Sequence, residues 1–206
     1  MKILLVSATK FEVLPFAKML SKKQGNLWTC KIGIHKVDVL ITGVGMTATA
    51  FSLGKYLNRK YDLALNVGVA GSFNKKFPVG SLVNVVSDCF ADLGAEDGNK
   101  FIAADKLGLG VSNFQTTTPM HFGKNKIKLL SGLPKVNGIT VNMVHGNISS
   151  IKRIVKSFNP DVESMEGAAF FYACKESNIP SLQIRAISNM VEKRNKKKWN
   201  MNLAIK

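Results

Sequence analysis

The stretch Val162-Glu163-Ser164-Met165-Glu166-Gly167-Ala168-Ala169 puts a carboxylate, Glu166, where an extended segment turns into a helix. An acid at such a junction accepts two charge-assisted hydrogen bonds from vicinal hydroxyls, which suits a ribose. Further on, Arg185-Ala186-Ile187-Ser188-Asn189 ends an apolar strand in a polar pair. The amide of Asn189 both donates and accepts hydrogen bonds but delivers no proton as an acid. Near the N-terminus a strand ends at Ser7-Ala8-Thr9, and Glu12 follows within the next turn. Ligands of α/β folds sit at the carboxyl ends of strands, so Glu12 is within reach of one bound there. Taken alone, Glu12 also fits an ordinary first-turn acid favoured by the helix dipole.

These residues need a scaffold, and the chain supplies alternating strand and helix patterns, the mark of a layered α/β domain. Strands are expected at 2–7, 31–34, 37–42, 63–68, 82–87, 138–144, 161–163 and 181–187, and helices at 10–20, 46–61, 148–158, 166–178 and 196–205. Runs such as Ile3-Leu4-Leu5-Val6 and Leu63-Ala64-Leu65 are apolar throughout, as in strands covered by helices on both faces. Residues 31–41 suggest a hairpin turning near His35-Lys36, which makes the sheet mixed. The segment 94–137, rich in Gly and Lys, predicts an excursion over the surface that carries substrate-specific loops. Glycine turns follow two strands, Thr42-Gly43-Val44-Gly45 and Asn66-Val67-Gly68-Val69-Ala70-Gly71, and let backbone amides approach a ligand. Neither has the spacing of a dinucleotide fingerprint.

With 206 residues, 46% hydrophobic and 20% charged, the chain suits one folded domain over 1–206. The apolar run at 3–6 is too short for a signal peptide or a membrane span. Cys30, Cys89 and Cys174 are odd in number and widely spaced, which predicts a reduced, cytoplasmic setting and no metal site. His35, His121 and His145 are likewise too dispersed to hold a metal, although His145 could border a base pocket. The net charge of +16 raises the question of nucleic acid. The lysines are scattered, however, and no aromatic-interleaved module accompanies them, so a solvated basic surface is expected.

Together these segments resemble the nucleoside-cleaving branch of the nucleoside phosphorylase superfamily, most densely at 1–13, 42–48, 66–72, 79–98 and 161–199. Within it the chain is similar to the futalosine hydrolases of the menaquinone route, through Phe90-Ala91-Asp92-Leu93-Gly94-Ala95-Glu96-Asp97-Gly98 and through Val191-Glu192-Lys193-Arg194-Asn195 with Trp199. The resemblance implies a single three-layer α/β/α domain with a central mixed, mostly apolar sheet. It also implies hydrolysis of an N-glycosidic bond, without metal or cofactor, by a homo-oligomer that is a dimer. Its partners are a small nucleoside and water, not nucleic acid or membrane. By the same resemblance Glu12, Arg185 and Asn189 are catalytic, while Ala8, Ala70, Gly71, Met165, Glu166, Ser188 and Arg194 bind substrate.

Two departures bear on substrate. Methylthioadenosine/S-adenosylhomocysteine nucleosidases, the alternative reading, carry Asp where this chain has Asn189, and Ser where it has Val69. Asn suits a 6-oxopurine such as the hypoxanthine of futalosine, because its amide donates to O6. The missing serine leaves Glu12, Arg185 and backbone groups to hold the attacking water. Arg194 is expected to meet the benzoate on the 5′ arm of futalosine, with Trp199 beside the ring. A basic nucleic-acid-binding protein on the same fold is the remote alternative.

Overall fold

The computed structural model describes residues 1–58, 60–98, 100–117 and 132–205. Strand β1 (Lys2–Ser7) leads into a 3-10 helix (Phe11–Met19), then β2 (Ser21–Gln24), β3 (Leu27–Ile32), β4 (His35–Ile41), α1 (Met46–Tyr56) and β5 (Leu63–Ser72). The second half runs β6 (Leu82–Cys89), β7 (Gly94–Asp97), β8 (Lys100–Ala103), β9 (Asn113–Gln115), β10 (Lys135–Thr140), α2 (Ile148–Phe158), β11 (Val162–Ser164), α3 (Gly167–Glu176), β12 (Ser181–Met190), a 3-10 turn (Lys196–Lys198) and α4 (Met201–Ile205). Among the described residues, no helix is long and apolar enough to cross a membrane.

The main sheet is mixed, in the order β11-β10-β6-β12-β5-β1-β4-β3-β2, with β9 on β6. β11 also pairs antiparallel with β5, so β5, β12, β6, β10 and β11 close on one another. Ala70, Val83, Val85, Val136, Val162 and Ile187 fill the space among these five strands. The apolar runs sort themselves by alternation. In β1, Leu4 and Val6 face a cluster with Leu53 of α1 and with Phe170, Phe171 and Cys174 of α3. Leu5 faces the opposite cluster, with Val13 and Phe16 of the 3-10 helix and Val37 and Val39 of β4. Helical elements thus cover both faces, as the uninterrupted hydrophobicity of the strands predicts.

Several boundaries differ from the expectation. Within the segment expected as a helix at 10–20, Phe11–Met19 form a 3-10 helix with Pro15 inside it. The helix expected at 46–61 stops at Tyr56. The hairpin turns at Gly33-Ile34, with Ile32 opposite His35, rather than at His35-Lys36. Residues 94–137 are not a bare surface excursion. The described residues among them form the β7–β8 hairpin, strand β9 and the start of β10, and Phe114 of β9 is buried against the α1–α3 layer. His121, within that segment, lies outside the described residues. The last helix is split, Lys196–Lys198 being a 3-10 turn before Met201–Ile205.

Candidate functional site

The carboxyl ends of β1, β5 and β12 converge, and with them Glu12, Arg185, Glu166 and Asn189. Glu12 is held by four donors. Its Oε2 accepts from Thr9 N–H (2.9 Å), Thr9 Oγ1 (2.9 Å) and Ser7 Oγ (3.1 Å), and its Oε1 accepts from the Val69 amide (3.2 Å). The backbone of Val69 therefore serves the acid although its side chain cannot. β12 lies beside β5 with Arg185 opposite Gly68. A Cβ on Gly68 would stand 2.5 Å from Arg185 Nη1 and 2.6 Å from Glu12 Oε1, so only glycine leaves room for the two to face each other.

Glu166 occupies the N-cap position of α3 yet makes no side-chain cap to its own helix. An acid there ordinarily satisfies one of the free helical amides. Here the side chain reaches across to α1 instead, where Oε1 accepts from the Gly45 amide (3.0 Å) and Oε2 lies 3.7 Å from Arg185 Nη1. One guanidinium thus stands between two carboxylates, and Arg185 itself is 1% exposed. Its Nε has no hydrogen-bond partner among the described residues, which leaves a buried donor available to a ligand.

Behind Arg185 runs a chain of polar contacts that no local sequence signal marks. Arg185 Nη2 donates to Gln183 Oε1 (3.4 Å), Gln183 Nε2 donates to Asp88 Oδ2 (2.8 Å), and Thr140 Oγ1 donates to Asp88 Oδ1 (2.8 Å). Thr140 Oγ1 also accepts from Ala168 N–H (2.7 Å) in the first turn of α3, next to Glu166. Burial pushes the Asp88 carboxyl up from 3.8 to about 6, against the hydrogen bonds from Gln183 and Thr140 and the charge of Arg185, which lower it. Asp88 fixes the orientation of Gln183, and Gln183 in turn fixes Arg185. β6 and β12 each carry several polar residues, so neither Asp88 nor Gln183 stands out within its own strand.

At the other end of the site, Ser188 Oγ donates to Asn189 Oδ1 (2.9 Å), and Asn189 Nδ2 donates to Met190 O (3.1 Å). One amide hydrogen of Asn189 remains for a ligand. Ala70 and Gly71 are buried beside it, with Ser188 Oγ 3.3 Å from Ala70 O. Ala8 accepts at its carbonyl from the Gly43 amide (3.0 Å), tying the first glycine turn to β1. Met165 is half-buried.

A cavity of about 500 Å3 is lined by Met46, Thr47, Phe90, Leu109, Val111 and Tyr172 among others, and Glu12, Arg185, Glu166 and Asn189 are not in its lining. Asp92 fixes its rim by accepting from Asn142 N–H (2.7 Å) and Nδ2 (3.2 Å), whereas Glu96 and Asp97 lie exposed on β7. The described lining holds no Lys or Arg. Arg194 is elsewhere: its guanidinium stacks 5.4 Å from the Trp199 ring centroid and its amide donates to Gly146 O (3.1 Å). The structure brings Arg194 and Trp199 together but keeps Arg194 out of this lining.

The model of the phosphorylase superfamily matches residues 2–206. The futalosine hydrolase of Streptomyces coelicolor is 28% identical over 186 residues, covering 84% of this chain and 77% of that protein. The 5′-methylthioadenosine/S-adenosylhomocysteine nucleosidase of Buchnera aphidicola subsp. Baizongia pistaciae is 28% identical over 182 residues, covering 84% and 71%. Among solved structures, the Helicobacter pylori 5′-methylthioadenosine/S-adenosylhomocysteine nucleosidase with butyl-thio-DADMe-Immucillin-A superposes with a TM-score of 0.81 at 17% identity, covering 99% of this chain and 93% of that one. A family match of this extent, on a fold of the same architecture, places the chain in the phosphorylase superfamily.

Proposed function

We propose that this chain is a single nucleoside hydrolase domain that cleaves the N-glycosidic bond of futalosine and releases hypoxanthine. The observation that carries the reading is the approach of Glu12 Oε1 and Arg185 Nη1 to the same face of Gly68, with Glu166 Oε2 3.7 Å from that nitrogen. A water held between Glu12 Oε1 and Arg185 gives its proton to the carboxylate as its oxygen bonds to C1′. The C1′–N9 bond breaks, its electron pair moves into the purine, the ribose ring passes through an oxocarbenium-like state, and the purine anion takes up a proton from solvent as Glu12 gives its own back. Glu166 Oε2 accepts from the ribose hydroxyls while Oε1 stays on the Gly45 amide. The remaining amide hydrogen of Asn189 stabilises the negative charge growing on the base at N7 or O6.

The apolar cavity, lined by Met46 next to the Gly45 amide that Glu166 accepts from, suits an aryl-bearing 5′ arm. Phe51, Leu109 and Val111, all exposed, fit burial against a second copy in a cytoplasmic homodimer. The test is a panel of futalosine, methylthioadenosine and inosine, with and without phosphate, and identification of products. Hypoxanthine release from futalosine that does not depend on phosphate is expected. Preferential adenine release from methylthioadenosine would favour the nucleosidase reading, and release of no base would refute hydrolysis.

A further inference from the structure

A buried acid that the reaction above does not use lies beside Asn189. Strand β5 is flanked at Gly71 by two partners at once, Asn189 of β12 and Glu163 of β11. A Cβ on Gly71 would stand 2.9 Å from Val191 Cγ2, 3.2 Å from Asn189 Nδ2 and 3.5 Å from Glu163 Cγ, so the side chains of Asn189 and Glu163 approach the same side of the strand, with Val191 packed beside them. Glu163 is 3% exposed. Among the described residues its carboxylate is held by His145: Oε1 accepts from the His145 amide (3.0 Å) and Oε2 from the ring Nδ1–H (2.7 Å). The ring of His145 is itself fixed by an edge-on contact with Phe73.

A carboxylate buried this deeply adds little to stability compared with an apolar residue of similar size, so packing does not account for it. A carboxylate offers about four acceptor sites, and His145 fills two of them. On the reading that Asn189 meets the base, the remaining acceptors sit beside the same purine. A 6-oxopurine presents a donor at N1, whereas a 6-aminopurine presents an acceptor there. We infer that Glu163, oriented by His145, is a specificity-determining residue that accepts the N1–H of a 6-oxopurine and repels the N1 lone pair of a 6-aminopurine. Asn189 donates to the base and Glu163 accepts from it, so the two complement hypoxanthine and mismatch adenine. A site built to bond a substrate N–H discriminates strongly, because its buried acceptor is left unpaired by the wrong base.

The inference rests on the hydrolase reading for the place of the base, and its test separates the two. In the wild type and in Glu163→Gln, kcat/KM is measured for inosine and adenosine. Glutamine keeps the shape and can turn an amide donor toward N1. The inosine-to-adenosine preference should fall at least tenfold in the variant, and an unchanged preference overturns the inference while leaving the hydrolase reading intact. Base binding to the wild type supplies a check that needs no variant. Hypoxanthine should bind at least tenfold tighter than 1-methylhypoxanthine, which keeps O6 and N7 but has no N1–H; equal affinity would overturn the assignment. Release of no base from any nucleoside would refute the hydrolase reading, and the binding comparison would still decide the role of Glu163.

Discussion

Replacing Glu12 by glutamine is the most direct perturbation of the proposed chemistry, and the structure sets its size. The carboxylate accepts from three donors at Oε2 and one at Oε1. A glutamine can keep its oxygen on the crowded side, toward Ser7 and Thr9. Its NH2 group then faces the Val69 amide and the guanidinium of Arg185. One hydrogen bond is lost and donors oppose donors, which costs about 1–3 kcal/mol of local stability. That is small beside the catalytic effect, because an amide cannot take a proton from water. Removing a general base lowers turnover by roughly 100-fold to 10,000-fold. The assay is hypoxanthine release from futalosine or inosine, with the melting temperature and the affinity for hypoxanthine measured on the same protein. Turnover should fall at least about 100-fold while base affinity stays close to the wild type. A variant that folds and hydrolyses at near wild-type rate would refute the role of Glu12 and the water position derived from Gly68.

Three further outcomes are expected. Glu166→Ala removes the acceptor for the ribose hydroxyls, each charge-assisted bond being worth about 1.5–3 kcal/mol, so kcat/KM on inosine should drop steeply; a wild type that cleaves 2′-deoxyinosine as well as inosine would contradict that role. Asn189→Asp supplies an acid able to protonate N7 and should move preference toward 6-aminopurines, read from kcat/KM for adenosine against inosine; an unchanged ratio counts against Asn189 as the base contact. Asp88, raised from 3.8 to about 6, keeps its proton in the folded chain at pH values where the unfolded chain has lost it. Its contribution to stability is therefore complete below the lower value and lost as pH rises to the upper one, a change on the order of 3 kcal/mol. The urea midpoint of the wild type relative to Asp88→Asn should fall across that window and level off above it, and a constant difference would refute the assignment.

What could be read in the sequence follows from the range of the interactions involved. Glu166 and Asn189 were recognisable because each stands at the end of its own strand, where the local pattern changes from apolar to polar. The doubly covered strands were legible for the same reason, since Leu4, Leu5 and Val6 are apolar whichever face they meet. The 3-10 geometry of Phe11–Met19 was not legible, because the hydrophobic spacing there also fits an α-helix. The short strands β2, β7 and β8 carry too few residues to show an alternation. The closure of β11 onto β5 rests on only two residue pairs, Val162 with Ser72 and Glu163 with Gly71. That small closure is what gives the site its base end. It sets Glu163 across Gly71 from Asn189, just as the β6–β12 pairing sets Asp88 within reach of Gln183. Neither acid's partners can be read from its own strand until the strand order is known. A buried carboxylate is tolerable only with partners, and here the partners come from other strands: Gln183 and Thr140 for Asp88, His145 for Glu163. On the proposed reading, the first acid acts on the reaction through Arg185, and the second meets the base. The sheet topology, rather than any local motif, therefore joins the catalytic end of the site to the end that selects the purine.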